Sequence, residues 1–145
     1  MAELLKQGTE QLMVVFMLEK EEYAVPVSQI KEVIKIPPIT NVPECLDYVE
    51  GIISIRGLVI PVVNLKRRLR LREEYVANSA RIMIAELKNQ TVGLVVDEVN
   101  EVKRIKIADI QPPPAMVERG SARYINGVFY NGDKMYIVIV VNHAV

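Results

Sequence analysis

The segment GIISIRGLVIPVVN at 51–64 constrains the fold more than any other part of the chain. It consists of two apolar runs separated by Arg56 and Gly57. Runs rich in β-branched residues around a two-residue turn predict a tight β-hairpin, with Gly57 at a positive φ. Pro61 lacks a backbone donor, so the second strand is expected to lie at an edge or to contain a bulge.

Further apolar runs of strand length lie on both sides of this hairpin. They occupy residues 11–18, 23–27, 81–87, 91–96, 99–107, 124–130 and 134–141. Together they predict nine or ten short strands, and 22 Val and 16 Ile against 9 Ala favour sheet over helix. Such a series is typical of β-barrels or a sandwich. No exact internal repeat is visible, but the similar rhythm of the two halves is consistent with two small barrels.

Two segments have helical spacing instead. Ser28 could cap a short helix that ends before Pro37-Pro38 and has Ile30, Val33 and Ile34 on its apolar face. Residues 64–71 form a basic amphipathic stretch. We expect Leu65, Leu69 and Leu71 to point inward there, and Lys66, Arg67 and Arg68 to point outward. Residues 1–10, 73–79 and 112–123 are expected to be loose or to form loops.

The charge balance narrows the class of partner. Lys+Arg and Asp+Glu both number 18, so the formal net charge is zero. Nucleic acids and anionic membranes attract a surplus of basic residues, and the basic cluster at 66–72 has no interleaved aromatic side chains. No apolar run reaches the ~18–20 residues of a membrane span, and the N-terminus lacks a secretory signal. We therefore expect a cytoplasmic protein.

Residues suited to enzyme chemistry are scarce. His143 is the single histidine and lies close to the C-terminus, and Cys45 is the single cysteine, without a histidine nearby. A reactive thiol needs a base or an electropositive setting, so Cys45 is interpreted as a small buried or half-buried residue. Neighbouring carboxylates such as Asp97-Glu98 point to opposite faces of a strand. Nucleotide-loop and metalloprotease motifs are absent, so we predict neither catalytic residues nor a metal or other cofactor.

A binding module is the alternative that remains. Small barrels have little interior volume for so much Val and Ile, so some apolar side chains should remain at partner surfaces. The candidates are Ile30, Val33, Val42, Val49, Ile82 and Ile84, although the sequence pattern alone does not distinguish core from partner-facing positions.

Several ordered motifs resemble one known family. The run at 49–69 is similar to the signature of the CheW family of chemotaxis coupling proteins, in which a strand ends in Arg-Gly and the next contains Pro-Val-Val. The segments 23–34, 39–43, 92–99 and 110–114 and the hairpin at Gly127 agree with other family motifs. Asn64 departs from the family, where Asp is common. The resemblance covers residues 11–141.

The resemblance implies a fold of two five-stranded, SH3-like β-barrels that share a hydrophobic core, with short helical segments. The two intertwined barrels would form one domain over residues 11–141, after a flexible N-terminus at 1–10. It also implies a non-catalytic adaptor that couples transmembrane chemoreceptors to the histidine kinase CheA. The protein would be a monomer alone and would form ring-like arrays with its partners, because the kinase has a related regulatory domain.

The family's sites transfer to this chain by motif. An apolar groove that takes the tip of the receptor's helical hairpin would involve Ile30, Glu32, Val33, Arg56, Ile82 and Ile84. The kinase would contact Val42, Pro43, Val49, Gly51 and Ile53. Ile30 and Val33 would supply apolar anchors, and Glu32 and Arg56 would orient the partner by charge. Gly51 would allow a close backbone approach.

Other classes remain open from the sequence. The chain could be a regulatory domain of the kinase itself, or the adaptor part of a coupling protein fused to a receiver domain. Its start at Met1 and the lack of a receiver-like acidic cluster favour a separate protein. A more remote alternative is a small β-barrel that binds single-stranded nucleic acid, which the zero net charge disfavours.

Overall fold

Ten strands form two five-stranded sheets in the computed structural model, which describes residues 10–71, 78–113 and 125–141. The strands are β1 (Glu10–Leu18), β2 (Glu21–Pro26), β3 (Ile30–Ile34), β4 (Val49–Ile55), β5 (Leu58–Asn64), β6 (Arg81–Glu86), β7 (Thr91–Val96), β8 (Glu98–Lys106), β9 (Ile125–Asn131) and β10 (Lys134–Ile139). Helical structure in these ranges includes α1 (Leu65–Arg68) and two 3-10 helices, Val27–Gln29 and Ile107–Asp109. The prediction of a mostly β fold is confirmed.

Some sequence predictions fall outside the described ranges. They concern the N-terminus up to residue 9, most of the linker at 73–79, the loop from 114 to 123 and His143.

The two sheets have the same strand order. The first sheet runs β8-β1-β2-β10-β9 and the second runs β3-β6-β7-β5-β4. Exchanging each strand for the one five places away in the chain converts one order into the other. The chain is therefore a structural repeat, β1–β5 followed by β6–β10. The first hairpin of each repeat, β1–β2 or β6–β7, completes the sheet built by the other repeat.

An isolated bridge links the two ends of each sheet. Thr40, which follows β3, exchanges backbone hydrogen bonds of 3.0 and 2.9 Å with Ile52 of β4. Gln111, which follows β8, makes the equivalent bonds of 2.7 and 2.8 Å with Val128 of β9. Since β3 and β4 are the end strands of one sheet and β8 and β9 those of the other, each bridge closes its sheet into a small barrel.

Three apolar clusters fill the interiors and the interface. One lies inside the first barrel and includes Phe129 and Tyr136, whose rings stack with centroids 4.8 Å apart. Another lies inside the second barrel and includes Ile53 and Ile82. The largest contains side chains from both sheets, among them Phe16 and Leu94. We call it the shared core, and it joins the two barrels as the family resemblance implied.

The predicted short helix after Ser28 is a strand. Ser28 belongs to the 3-10 helix, which has no side-chain cap, and the chain then enters β3. A β-bulge at Lys31 separates Ile30, which pairs with Ala85 of β6, from the rest of the strand. The added residue puts Ile30 and Val33 on the same face three positions apart. A bulged strand thus reproduces helical spacing, and its β-branched side chains favour the extended form.

The predicted hairpin at 51–64 is confirmed, as β4 and β5. Arg56 and Gly57 form its turn, with φ values of 49° and 83°. Pro61 pairs with Ile52 on the β4 side, whereas β7 pairs with β5 only from Val62 onward. Pro61 therefore lies where β5 has a partner strand on one side only, and its missing donor interrupts no pairing there. The expectation that β5 is an edge strand or contains a bulge is wrong, because β5 lies between β7 and β4 and the register shift lies in β4.

The basic stretch after β5 agrees with its prediction only in part. Leu65 is buried, and Leu69 and Leu71 pack against the shared core, as expected. The outward orientation predicted for Lys66 is wrong. Its side chain is buried because its ammonium group pairs with Asp97 at the junction between the two sheets.

Candidate functional site

Glu32 and Arg56, two residues of the expected receptor site, form an ion pair. Glu32 lies on β3 and Arg56 lies in the β4–β5 turn, and Arg56 Nη2 contacts Glu32 Oε2. The arginine side chain is 72% exposed and the glutamate 30%. Both line a groove of about 130 Å³ whose other walls include Leu58, Ile60 and Ile84. An accessible charge pair beside apolar side chains can orient a partner without fixing its affinity.

Val33 and Ile30 lie on the other face of β3. Val33 pairs with Met83, a shared-core residue, whereas Glu32 pairs with Ile84 of the second barrel's interior. Paired residues in an antiparallel sheet share a face, so Val33 and Glu32 point in opposite directions. Ile30 packs against the shared core, and Val33 is 41% exposed beyond it. The small groove therefore does not include Val33.

Ile82 and Ile84 are core residues. They are 0% and 2% exposed and pack inside the second barrel with Ile53 and Ile60. Their burial places them beneath the candidate receptor surface, where Ile84 forms part of the groove floor. Both side chains are too buried to meet a partner directly, and of the two only Ile84 lines the groove.

The residues expected at the kinase site divide into an exposed and a buried set. Val42 and Pro43 are exposed in the segment between Thr40 and β4, and Val49 is half-buried at the start of β4. Gly51 and Ile53 are buried. We call residues 41–48 the docking loop, because its apolar side chains, including Leu46, face solvent.

Gly51 has an intramolecular role in this structure. Its φ is +148°, and an added Cβ would lie 2.1 Å from the carbonyl oxygen of Thr40. The close backbone approach that the sequence suggested is thus made by the chain's own closing bridge. Gly127 has the same role in the other barrel, where an added Cβ would lie 2.5 Å from the Gln111 carbonyl oxygen.

A wider apolar groove lies beside the docking loop. Its volume is about 360 Å³, and it is lined by Pro37, Pro38, Thr40, Ile52, Ile53, Ser54 and Val59. Leu58 and Val59, at the tip of the β4–β5 hairpin, are exposed apolar residues that sequence reasoning missed. Both belong to an apolar run, and they lie in the part of β5 that does not pair with β7.

A second set of residues repeats the β3 pattern on β8. Val99, Glu101 and Val102 occupy the positions of Ile30, Glu32 and Val33, because a bulge follows Ile30 in β3 and Val99 in β8. Val102 pairs with Val14 of the shared core and is 58% exposed. The spacing Ile-x-Glu-Val at 30–33 and Val-x-Glu-Val at 99–102 is the sequence signal that could have revealed this surface.

The described residues offer surfaces for binding and few groups for catalysis. Within ranges 10–71, 78–113 and 125–141, we find no cluster of three or more His, Cys, Asp or Glu able to hold a metal ion. In the same ranges, no helix is long and apolar enough to cross a membrane. Cys45 is exposed, and its thiol donates to the Val42 carbonyl oxygen at 3.1 Å. The burial expected for Cys45 is therefore wrong.

Comparison with known proteins defines the class to which these barrels belong. The CheW-like domain family model matches residues 12–145. A solved structure, the scaffolding protein TtCheW from Thermoanaerobacter tengcongensis, superposes with a TM-score of 0.86 and 36% identity, covering 92% of this chain and 91% of that one. The chain therefore has the fold of a chemotaxis scaffolding protein.

Sequence relatives agree with this assignment. The chemotaxis protein CheW of Bacillus subtilis is 33% identical over 134 residues, which cover 92% of this chain and 86% of that protein. CheW of Treponema pallidum is 30% identical over 131 residues, with coverage of 88% and 77%. The chain belongs to the CheW-like domain family.

Proposed function

We propose that this chain is a non-catalytic adaptor that couples chemoreceptors to the histidine kinase CheA in the cytoplasm. The observation that supports it most directly is the presence of two separate exposed surfaces on one barrel. The first comprises Glu32, Arg56 and Leu58 around the small groove. The second is the docking loop with its adjoining wide groove. Two surfaces on one rigid sheet suit a protein that holds two partners in register.

The first surface is proposed to contact the cytoplasmic tip of a receptor. A helical hairpin presents apolar side chains at i and i+3 together with charged side chains at its margin. Leu58 can receive the apolar groups, and the Glu32–Arg56 pair can orient the charged ones. Val33 lies on the opposite face of β3, so it would contact a separate part of the receptor. Val102 repeats the position and exposure of Val33, so we propose that it extends the receptor contact to the first barrel.

The second surface is proposed to contact the regulatory domain of the kinase. The exposed Val42, Pro43 and Leu46 form an apolar patch on the docking loop, and Val59 borders the wide groove. Exposed apolar patches of this kind are typical of protein–protein contacts. Ile53 and Gly51 act here as buried supports of that patch.

The receptor surface is tested by charge reversal at its rim. Arg56→Glu should weaken binding to a purified receptor cytoplasmic hairpin by about tenfold, equal to about 1.4 kcal/mol, because it places two carboxylates together. Lys134→Glu is the matched control, since Lys134 is also exposed and ion-paired, with Glu22 at 3.2 Å on the other barrel. Equal binding by wild type and Arg56→Glu, measured by isothermal titration, would refute the receptor assignment.

The kinase surface needs a variant that leaves the fold intact. Val42→Glu adds a charge to an exposed loop position and should weaken binding to a purified CheA regulatory domain by about tenfold. Receptor binding by the same variant should remain within about twofold of wild type. A folded Val42→Glu protein that binds the kinase domain normally would exclude the docking loop from this contact.

A further inference from the structure

The basic segment after β5 is tied to the docking loop. Asn64 caps α1, its side-chain oxygen accepting the Arg67 amide at 3.0 Å. The amide group of the same side chain donates to Glu50 Oε2 at 2.8 Å. The residue that starts the helix therefore also holds the start of β4, where the docking loop ends.

Arg67 joins α1 to the loop and to the start of β4 by two further bonds. Its Nη1 donates to the carbonyl oxygen of Asp47 at 2.8 Å, and its Nη2 lies 3.3 Å from Glu50 Oε2. A guanidinium group has planar, divergent donors that can satisfy a carbonyl and a carboxylate together, which a lysine ammonium does less well. Arg67 thus spans the final turn of the docking loop.

Two neighbours complete this attachment. The Arg68 guanidinium lies 4.6 Å from the centre of the Tyr48 ring, a cation–π distance. The Asn64 backbone amide donates to the Tyr48 carbonyl oxygen at 2.8 Å. Loop residues 47 and 48, and residue 50 at the start of β4, therefore all contact α1 or its cap.

The other end of the docking loop is held by the barrel itself. Thr40 forms the closing bridge with Ile52, so the backbone is hydrogen-bonded immediately before residue 41. Between these two attachments, Val42, Pro43 and Leu46 remain exposed. The conformation of these exposed residues therefore depends on the attachments at both ends of the docking loop. At the end near α1, the loop is held mainly by side-chain contacts.

We infer that Arg67 is a positioning residue for the kinase contact. It holds the docking loop in place, and its own guanidinium group does not contact the kinase. This inference rests on the proposed function. The physical reason is that the guanidinium group of Arg67 makes its two hydrogen bonds inside the chain, to Asp47 and Glu50. Preorganising the loop lowers the ordering cost that binding would otherwise include.

The test compares three arginine variants by titration against a purified CheA regulatory domain. Arg67→Ala should weaken binding by about threefold to tenfold, the value of one or two hydrogen bonds. Arg67→Lys keeps the positive charge but lacks the divergent donors of the guanidinium group, so it should show much of the same loss of affinity. Arg81→Ala is the control, because Arg81 also donates to backbone carbonyl oxygens, of Asn78 and Ala80, but away from the loop.

A double-mutant cycle with Leu46→Ala distinguishes positioning from direct contact. If Arg67 acts through the loop, Arg67→Ala should reduce the affinity for the kinase domain less in the Leu46→Ala background than in wild type. In addition, the backbone amides at 42–49 should exchange hydrogen faster in Arg67→Ala. Additive losses, or wild-type affinity in Arg67→Lys, would mean that Arg67 contacts the kinase and would overturn the inference.

The outcome for Val42→Glu separates this inference from the proposed function. Weak binding by Val42→Glu with normal binding by Arg67→Ala refutes the positioning role alone. Normal binding by both folded variants refutes the kinase surface itself. Receptor-hairpin affinity should stay within about twofold in all three arginine variants, since sites without shared partners are nearly additive.

Discussion

Lys66 and Asp97 form an ion pair at the junction of the two barrels, with 2.9 Å between Nζ and Oδ1. Lys66 is only 4% exposed, although the sequence pattern places it on the outer face of α1. The other carboxylate oxygen of Asp97 accepts the Glu19 amide at 2.8 Å, and the Asp97 amide donates to the Met17 carbonyl oxygen. One residue between β7 and β8 therefore connects α1 of the second barrel to the β1–β2 turn of the first.

Removing this carboxylate should destabilise the protein strongly. Asp97→Ala is expected to lower the free energy of unfolding by about 3 kcal/mol, because Lys66 loses its buried counter-charge. Glu86→Ala, which removes the exposed Lys31–Glu86 pair of 3.8 Å, should cost less than about 1 kcal/mol. Urea unfolding of both variants measures the difference, and equal costs would contradict the role given to Asp97.

Two glycines of the β4–β5 hairpin should differ in how much stability is lost on substitution by alanine. Gly51 lies at the closing bridge, and Gly57 lies in the turn. Gly51→Ala is expected to cost more than about 2 kcal/mol, because its Cβ would overlap the Thr40 carbonyl oxygen. Gly57 has φ +83° but open space around it, so Gly57→Ala should cost about 1 kcal/mol from backbone strain alone. Chemical denaturation compares the two, and hydrogen exchange at Thr40 and Ile52 should accelerate only in Gly51→Ala.

Tyr23 should make stability fall in alkaline solution. Its burial, with smaller contributions from Glu21 and Glu19, raises the pKa of Tyr23 from 10.0 to about 12. The folded state therefore disfavours the phenolate, so this contribution is intact below pH 10 and is lost as pH rises through about 12. Once Tyr23 is fully ionised, the free energy of unfolding should be lower by about 3 kcal/mol.

Tyr23→Phe isolates that contribution. The ring keeps its place beside Phe16, with the centroids 5.9 Å apart, but has no proton to lose. The unfolding free energies of wild type and variant should therefore converge or cross between pH 10 and pH 12 as the wild type weakens. Parallel curves over this range would assign the alkaline instability to other groups.

Neither half of the chain should fold alone. Fragment 1–71 contains β1–β5 and fragment 78–145 contains β6–β10, yet each barrel needs strands from both. We expect each fragment to lack a cooperative thermal transition by circular dichroism, and an equimolar mixture to recover one. A native-like transition in either fragment alone would show that a repeat can complete its own barrel.

Local chemistry was sufficient to predict most strands. The β4–β5 hairpin followed from Arg56-Gly57 between β-branched runs, whereas Pro61 wrongly suggested an edge strand, because β5 lies between β7 and β4. The exception was β3, where the bulge at Lys31 gave a strand the spacing of a helix. A bulge depends on the pairing partner, β6, which lies some fifty residues away and leaves no local signal.

The candidate site was less predictable, because burial depends on tertiary packing. Ile82, Ile84 and Val33 are all β-branched strand residues, yet the first two lie inside a barrel and the third is exposed. Gly51 is a further example. Its sequence context indicates that another group lies close to its backbone, but only the structure shows that this group is the Thr40 carbonyl. The family motifs named candidate residues, and packing decided which of their side chains reach the surface.

The crossovers between the barrels limit how this molecule can move. The 3-10 helix Val27–Gln29 joins β2 to β3, and Asp97 alone joins β7 to β8. Two short links, together with the shared core packed between the barrels, restrict the rotation of one barrel against the other. A force applied to one barrel should therefore displace the whole molecule, so neighbours on its two sides would feel translation and tilt instead of a change in its internal angle.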